Sequence, residues 1–127
     1  MSTTKRLGVG NSQDNTARAI QYDFQEVAYA ASVAITVKDG IAKTTVRVAQ
    51  ATGALTLTAN VGTSTTGPMV GDELMVMASS DGTGRVITFS TGFASAGTLT
   101  MVASKKAVAV FVFDGVAWIE RTRSIGA

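Results

Sequence analysis

The chain contains no cysteine and no histidine, one proline and one tryptophan in 127 residues. Without cysteine there is no disulfide framework and no thiolate chemistry. Without histidine the Ser-His and Cys-His dyads, the usual zinc sites and the usual proton shuttle are all excluded. Charge is also sparse, at 16% of residues, where an average chain carries about 25%. Long apolar runs are missing as well. The stretch 101–113 is broken by Lys105 and Lys106, well short of the ~20 residues a membrane helix needs. Residues 1–16 have only Leu7 and Val9 as apolar interruptions, so no apolar signal-peptide core is expected there. The formal net charge of +2 is too small to suggest nucleic acid, and Lys105-Lys106 and Arg121-x-Arg123 read as solvated strand ends. Neither a nucleic-acid partner nor a membrane is expected, and no cofactor.

What is present suits a folded domain. Hydrophobic residues make up 46% of the chain and the mean hydropathy is +0.26, which a disordered chain does not have. Area scaling at this mass gives roughly 19,000 Å² unfolded against about 6,300 Å² folded. That suffices for one core without staples.

Residues 1–26 mix Lys5, Arg6 and Arg18 with Asp14, Asp23 and Glu26 and show no clear period. They read as an extended N-terminal arm, ordered by a partner or sister chain. From residue 27 to 127 the pattern is that of a β domain. The whole chain holds 15 valines and 18 threonines, the β-branched residues that suit a pleated surface. Strands are predicted over 31–38, 44–49, 54–59, 73–78, 85–91, 97–103, 106–113 and 116–122. Asp39-Gly40 and Asp114-Gly115 are hairpin signals, the second suiting a two-residue turn. The longest loop is 61–72, rich in glycine, serine and threonine and holding Pro68. No segment after residue 30 has a capped helical stripe. The prediction is all-β: an antiparallel sandwich or small barrel with an extended N-terminal arm.

One segment departs from the apolar-in, polar-out alternation of a half-wet sheet. Over 107–113, Ala107, Ala109, Phe111 and Phe113 face one way and Val108, Val110 and Val112 the other. Residues 74–77 have the same two-sided character. A small monomer does not readily cover both faces of two strands. Val108, Val110, Val112, Leu74 and Val76 are therefore the expected homo-oligomer interface, with a closed barrel as the competing arrangement.

Candidate chemistry is thin. Asp39, Asp72, Glu73, Asp81 and Asp114 all sit at turns or strand ends, where aspartate before glycine makes turns. A glycosidase needs two carboxylates about 5–9 Å apart, and nothing in the spacing selects a pair. Asp72, Glu73 and Asp81 are oxygen ligands without a calcium-loop register. Gly8-Val9-Gly10 and Gly82-Thr83-Gly84 lack the context of a phosphate loop, and the serines lack an activating base. Trp118 reads as a core residue packing on Phe111 or Phe113, in preference to a sugar platform. No catalytic, cofactor-binding or metal-binding residue is assigned.

A resemblance adds a setting. Gly71-Asp72-Glu73-Leu74, Asp81-Gly82-Thr83-Gly84-Arg85, Thr88-Phe89-Ser90 with Gly92-Phe93, Gly97-Thr98-Leu99-Thr100, and Phe111-Val112-Phe113-Asp114-Gly115 with Trp118 and Glu120 together resemble a β module of tailed-bacteriophage virion proteins. Capsid decoration proteins, head fibres and some tail-fibre segments carry it. The resemblance spans residues 54–123, departing from the module at Ser104 and Val116. It implies a non-enzymatic virion component, commonly trimeric, whose partners are itself and the major capsid protein or another virion protein. On that reading Lys5, Arg6, Leu7 and Val9 of the arm are expected to anchor to the capsid. The alternative is a tail-fibre receptor- or glycan-binding module using the 61–71 loop and the 79–84 tip, with Thr65 and Asp81 as its test positions.

Overall fold

A computed structural model describes residues 21–63 and 65–127; Lys5, Arg6, Leu7 and Val9 lie outside them. The described chain is all-β, with ten strands in two packed sheets. They are β1 Tyr22–Val27, β2 Ser32–Ile35, β3 Lys43–Val48, β4 Leu55–Ala59, β5 Glu73–Ser79, β6 Val86–Phe89, β7 Phe93–Ala94, β8 Leu99–Thr100, β9 Lys106–Phe113 and β10 Trp118–Ile125. The six-stranded sheet runs β1-β3-β5-β9-β10-β7 and the four-stranded sheet β2-β4-β6-β8. Up to β9, successive strands alternate between the sheets, so the chain winds as a flattened coil around one core.

The winding corrects the expected antiparallel pairing. Strands β1, β3 and β5 pair in parallel, as do β2, β4 and β6; only β5–β9, β9–β10 and β6–β8 are antiparallel. Asp39-Gly40 is a turn, with Gly40 at φ 80°. It is not a hairpin, because the chain leaves β2 in one sheet and enters β3 in the other. The closing hairpin does form, with a turn displaced by one residue. Phe113 pairs with Trp118 and Asp114 N–H donates to Ala117 O at 3.1 Å, which centres the turn on Gly115-Val116. Gly115 supplies the positive φ, 98°, that a tight hairpin needs at its first central residue. Asp114 Oδ1 accepts from the N–H groups of Val116 and Ala117, both at 2.8 Å.

Inward residues stack in register across the sheets. Val33, Leu57 and Phe89 form one column of the four-stranded sheet. Thr44, Leu74 and Phe111 form one of the six-stranded sheet. Both ends of the core are polar. At one, Gln25 Nε2 donates to Thr36 O at 2.7 Å and to Asp23 Oδ2 at 2.9 Å, while Lys38 pairs with Asp23 at 3.4 Å. At the other, Arg123 pairs with Glu120 and donates to the carbonyls of Gly97 and Thr98, and Glu120 Oε1 accepts from Ala96 N–H at 2.9 Å. The first of these ends moves the boundary of the arm. Residues 22–26 were expected in it, yet Tyr22–Val27 is an edge strand paired with β3 along its whole length. Its pattern escapes a search for buried apolar positions because Asp23 and Gln25 face inward.

Candidate functional site

The two sheets present opposite chemistry to the outside. On the four-stranded sheet the outward positions include Ser32, Ala34, Thr56, Thr58 and Thr88, small or hydroxylated. On the six-stranded sheet they fall into three registered rows across five strands. The rows are Tyr22–Lys43–Glu73–Val112–Ile119, Phe24–Thr45–Met75–Val110–Thr122 and Glu26–Arg47–Met77–Val108–Ser124. Eight of these fifteen side chains are apolar or aromatic. Tyr22 and Phe24 are 68% and 57% exposed, whereas Val110 is sunk between its neighbours. At ~4.8 Å between strands and ~6.7 Å between rows, the band covers about 500 Å² in projection. Its apolar part is smaller and divided, since β3 presents only Lys43, Thr45 and Arg47 and parts Tyr22 and Phe24 from the group of Met75, Met77, Val108, Val110, Val112 and Ile119.

Charge on this face is mixed and internally paired. Arg47 meets Glu26 at 2.9 Å and lies over the Phe24 ring, 5.4 Å from its centroid. Glu73 takes Lys43 at 3.8 Å and Arg121 at 3.2 Å. No family model matches the chain, and no curated protein matches it. The reading of this site therefore rests on its own geometry.

The structure divides the expected interface residues. Val108, Val110 and Val112 face outward as anticipated, in the middle of the band. Leu74 and Val76 do not: they are 0% and 2% exposed in the protein's own core, and the outward residues of β5 are Met75 and Met77. Periodicity separated the two faces of this strand but did not say which one the second sheet covers. Tyr22, Phe24 and Ile119 were missed, the first two because β1 was assigned to the arm.

The candidate loops do not converge. The 60–72 loop shares one end of the sandwich with the 36–42 corner and the 114–117 turn, through Gly67 N–H to Asp39 Oδ1 at 3.2 Å and Gly71 N–H to Phe113 O at 2.9 Å. The 80–85 loop sits at the other end, where Asp81 N–H reaches Ala51 O at 3.1 Å and Asp81 O accepts from Ser104 N–H at 2.7 Å. Thr65 and Asp81 thus belong to opposite ends and cannot act as one site. Asp81 also has a structural task, accepting from Arg85 Nε at 2.9 Å, Arg85 Nη2 at 2.8 Å and Thr83 N–H at 3.1 Å. The same separation keeps Asp81 away from Asp72 and Glu73. Among the described residues no three Asp, Glu, His or Cys side chains gather as metal ligands. Trp118 is enclosed, its ring 5.1 Å from that of Phe113, and offers no platform to a sugar.

The carboxylates that hold loops set an acid limit. The Arg123 guanidinium, then the Ala96 N–H, hold Glu120 below the ordinary range. Arg85 does so for Asp81, and the Ala117 and Val116 amides for Asp114. A folded-state pKa below the unfolded one means that protonation favours the unfolded chain. These contributions are complete at neutral pH and are lost as pH falls through the folded values, below about pH 4. Melting temperature is expected to be flat from pH 7 to about 5 and to drop steeply below about 4. Glu120→Gln should show a shallower drop from a lower starting value, measured by circular dichroism.

Proposed function

We propose that this chain is a structural, non-enzymatic virion component that decorates a bacteriophage capsid or forms a fibre on it, as a homotrimer. The observation that carries the reading is the contrast between the two outer sheet faces. A domain that keeps one face wet and threonine-rich and sets methionines, valines and exposed aromatic rings among paired charges on the other is suited to work in an assembly. The virion setting comes from the resemblance. The residues that bear it hold turns and core here: Gly92 and Gly115 at positive φ, Phe111 and Trp118 enclosed, Asp81 and Asp114 as loop acceptors. A homotrimer presents three arms at once, and linked sites act at high effective concentration, so weak single contacts to the major capsid protein or another virion protein can hold. The workplace is the capsid surface, after synthesis in the bacterial cytoplasm.

A receptor- or glycan-binding module of a tail fibre is the second reading. It is favoured by a recess of about 210 Å³ lined by Asp39, Thr63, Thr65, Thr66, Gly67, Pro68 and Met69, in which three hydroxyls and a carboxylate stand beside apolar walls. One experiment separates them. The purified protein is sized in solution at micromolar concentration, then mixed with capsids lacking it and, separately, with host cells. A mass of three chains and co-sedimentation with capsids are expected. Binding to cells but not capsids would replace the first reading with the second.

A further inference from the structure

The two sheets end in four marginal strands, β1 and β7 of the larger and β2 and β8 of the smaller. A margin offers a row of unpaired N–H and C=O groups to any extended chain, and folded proteins blunt such rows. Three of the four are blunted. Strands β7 and β8 are two residues each. Beyond β7, the free length of β10 is bulged between Glu120 and Thr122, and Arg123 and Glu120 tie the 96–98 loop to it. Strand β2 has four residues, and Gln25 Nε2 already occupies Thr36 O at its end. Strand β1 differs. It has six residues in unbroken register with β3, without proline, glycine or lysine. Lys43 N–H donates to Gln21 O and Ala49 N–H to Val27 O, so alternate residues from Gln21 to Val27 turn their peptide groups to β3. The N–H and C=O groups of Tyr22, Phe24 and Glu26 therefore point away from the sheet, with no strand beside them among the described residues.

We propose that this edge is a strand-addition site, taking an extended segment of another protein in which apolar side chains alternate with lysine or arginine. The backbone chooses the form of the occupant. Its free peptide groups recur at every second residue, ~6.7 Å apart, a spacing that another extended backbone matches, and main-chain bonds of this kind supply the affinity in strand addition. The side chains set the alternation. Tyr22 and Phe24, 68% and 57% exposed, stand on the outer face, where apolar and β-branched side chains make good cross-strand partners for rings. On the inner face the neighbours are Asp23 and Gln25, which suit a polar side chain. Charge decides its sign. Strand β1 carries two carboxylates, Asp23 and Glu26, and no cation. The Arg47 that meets Glu26 at 2.9 Å belongs to β3, on the far side of β1 from the free edge. Lys38, 3.4 Å from Asp23, comes from the corner after β2. A second β1 would bring like charges together across the new ladder, whereas a basic segment brings opposite ones. Such a site works whether or not copies of the chain associate, and it needs no virion setting.

The probe is a capped, dye-labelled octapeptide that alternates valine with lysine, titrated into the full chain. Binding read by fluorescence anisotropy is expected to saturate. By amide hydrogen exchange followed in two-dimensional NMR spectra, the N–H groups of Tyr22, Phe24 and Glu26 should be unprotected in the free protein. With the peptide bound they should exchange at least tenfold more slowly. Those of Asp23, Gln25 and Val27, already bonded to β3, should not change. The same peptide N-methylated at every residue has no main-chain donors and should bind at least tenfold more weakly, as should the peptide with glutamate in place of lysine. Phe24→Pro removes an N–H that β3 does not use and should weaken binding tenfold or more with an unchanged circular dichroism spectrum. Phe24→Lys, which sets a cation against the basic probe, repeats the measurement should proline disturb β1. Absence of saturation, or equal binding of the N-methylated peptide, overturns the proposal. Equal binding of the glutamate peptide overturns the basic partner. Protection of Tyr22, Phe24 and Glu26 in the free protein also overturns it: the edge is then filled by the chain itself where protection is independent of concentration, or by a second copy where protection rises with concentration.

Discussion

Trp118→Ala is expected to lower the stability of the fold by about 3–5 kcal/mol, the usual cost of emptying a large aromatic site. Trp118 has no exposed surface and ties three parts of the molecule together. Its ring packs on Phe113 across the closing hairpin. Its backbone N–H donates to Gly92 O at 2.8 Å, where the chain leaves β6. Its indole Nε1–H donates to Asn60 O at 3.0 Å, and Asn60 in turn takes Val37 N–H at 2.6 Å and gives to Val37 O at 3.0 Å. The last hairpin is thereby pinned to the ends of β2 and β4. Trp118→Phe keeps most of the packing but leaves Asn60 O without its donor, and should cost about 1–3 kcal/mol. Urea midpoints compared at one fixed protein concentration check both, because the proposed assembly would make apparent stability depend on concentration. Equal losses for the two variants would mean that the indole hydrogen bond carries the effect and the ring's packing adds nothing.

Eight of the ten strands were legible in the sequence as apolar or β-branched runs between turn residues; β1 and the two-residue β7 were not. Nor was the pairing. A turn signal such as Asp39-Gly40 says that the chain reverses, and the same two residues serve a hairpin or a corner between sheets. The parallel winding depends on where β3 and β5 go, a long-range choice without a local mark. The outward valines of β9 were legible, since no half-wet strand reads Ala-Val-Ala-Val-Phe-Val-Phe. On β5 both faces are apolar, so the alternation left open whether Leu74 and Val76 or Met75 and Met77 meet the second sheet. Strand β1 was hidden for a different reason. Its inward residues are the polar ones, and a rule that places polar residues in water assigns it to the arm.

A carboxylate placed in the middle of the outer band should dissociate the proposed assembly without unfolding the chain. Met75 stands in the row Phe24–Thr45–Met75–Val110–Thr122 and is half-buried, its side chain facing away from the core. In a single chain Met75→Glu keeps its charge in water, and the fold loses little. In a trimer three such carboxylates would crowd an apolar contact, and an unpaired buried ion costs several kcal/mol even after relaxation. About 4 kcal/mol is three decades in an association constant, enough to take a micromolar sample from three chains to one. Thr88→Glu supplies the control. It makes a comparable change at an outward position of the four-stranded sheet, whose outer face is already wet, and the native mass should not move. Sedimentation gives the masses, and far-ultraviolet circular dichroism establishes that both variants remain folded. If Met75→Glu keeps its three-chain mass, the apolar band does not join the copies, and the contrast between the two sheet faces loses its meaning as a sign of assembly.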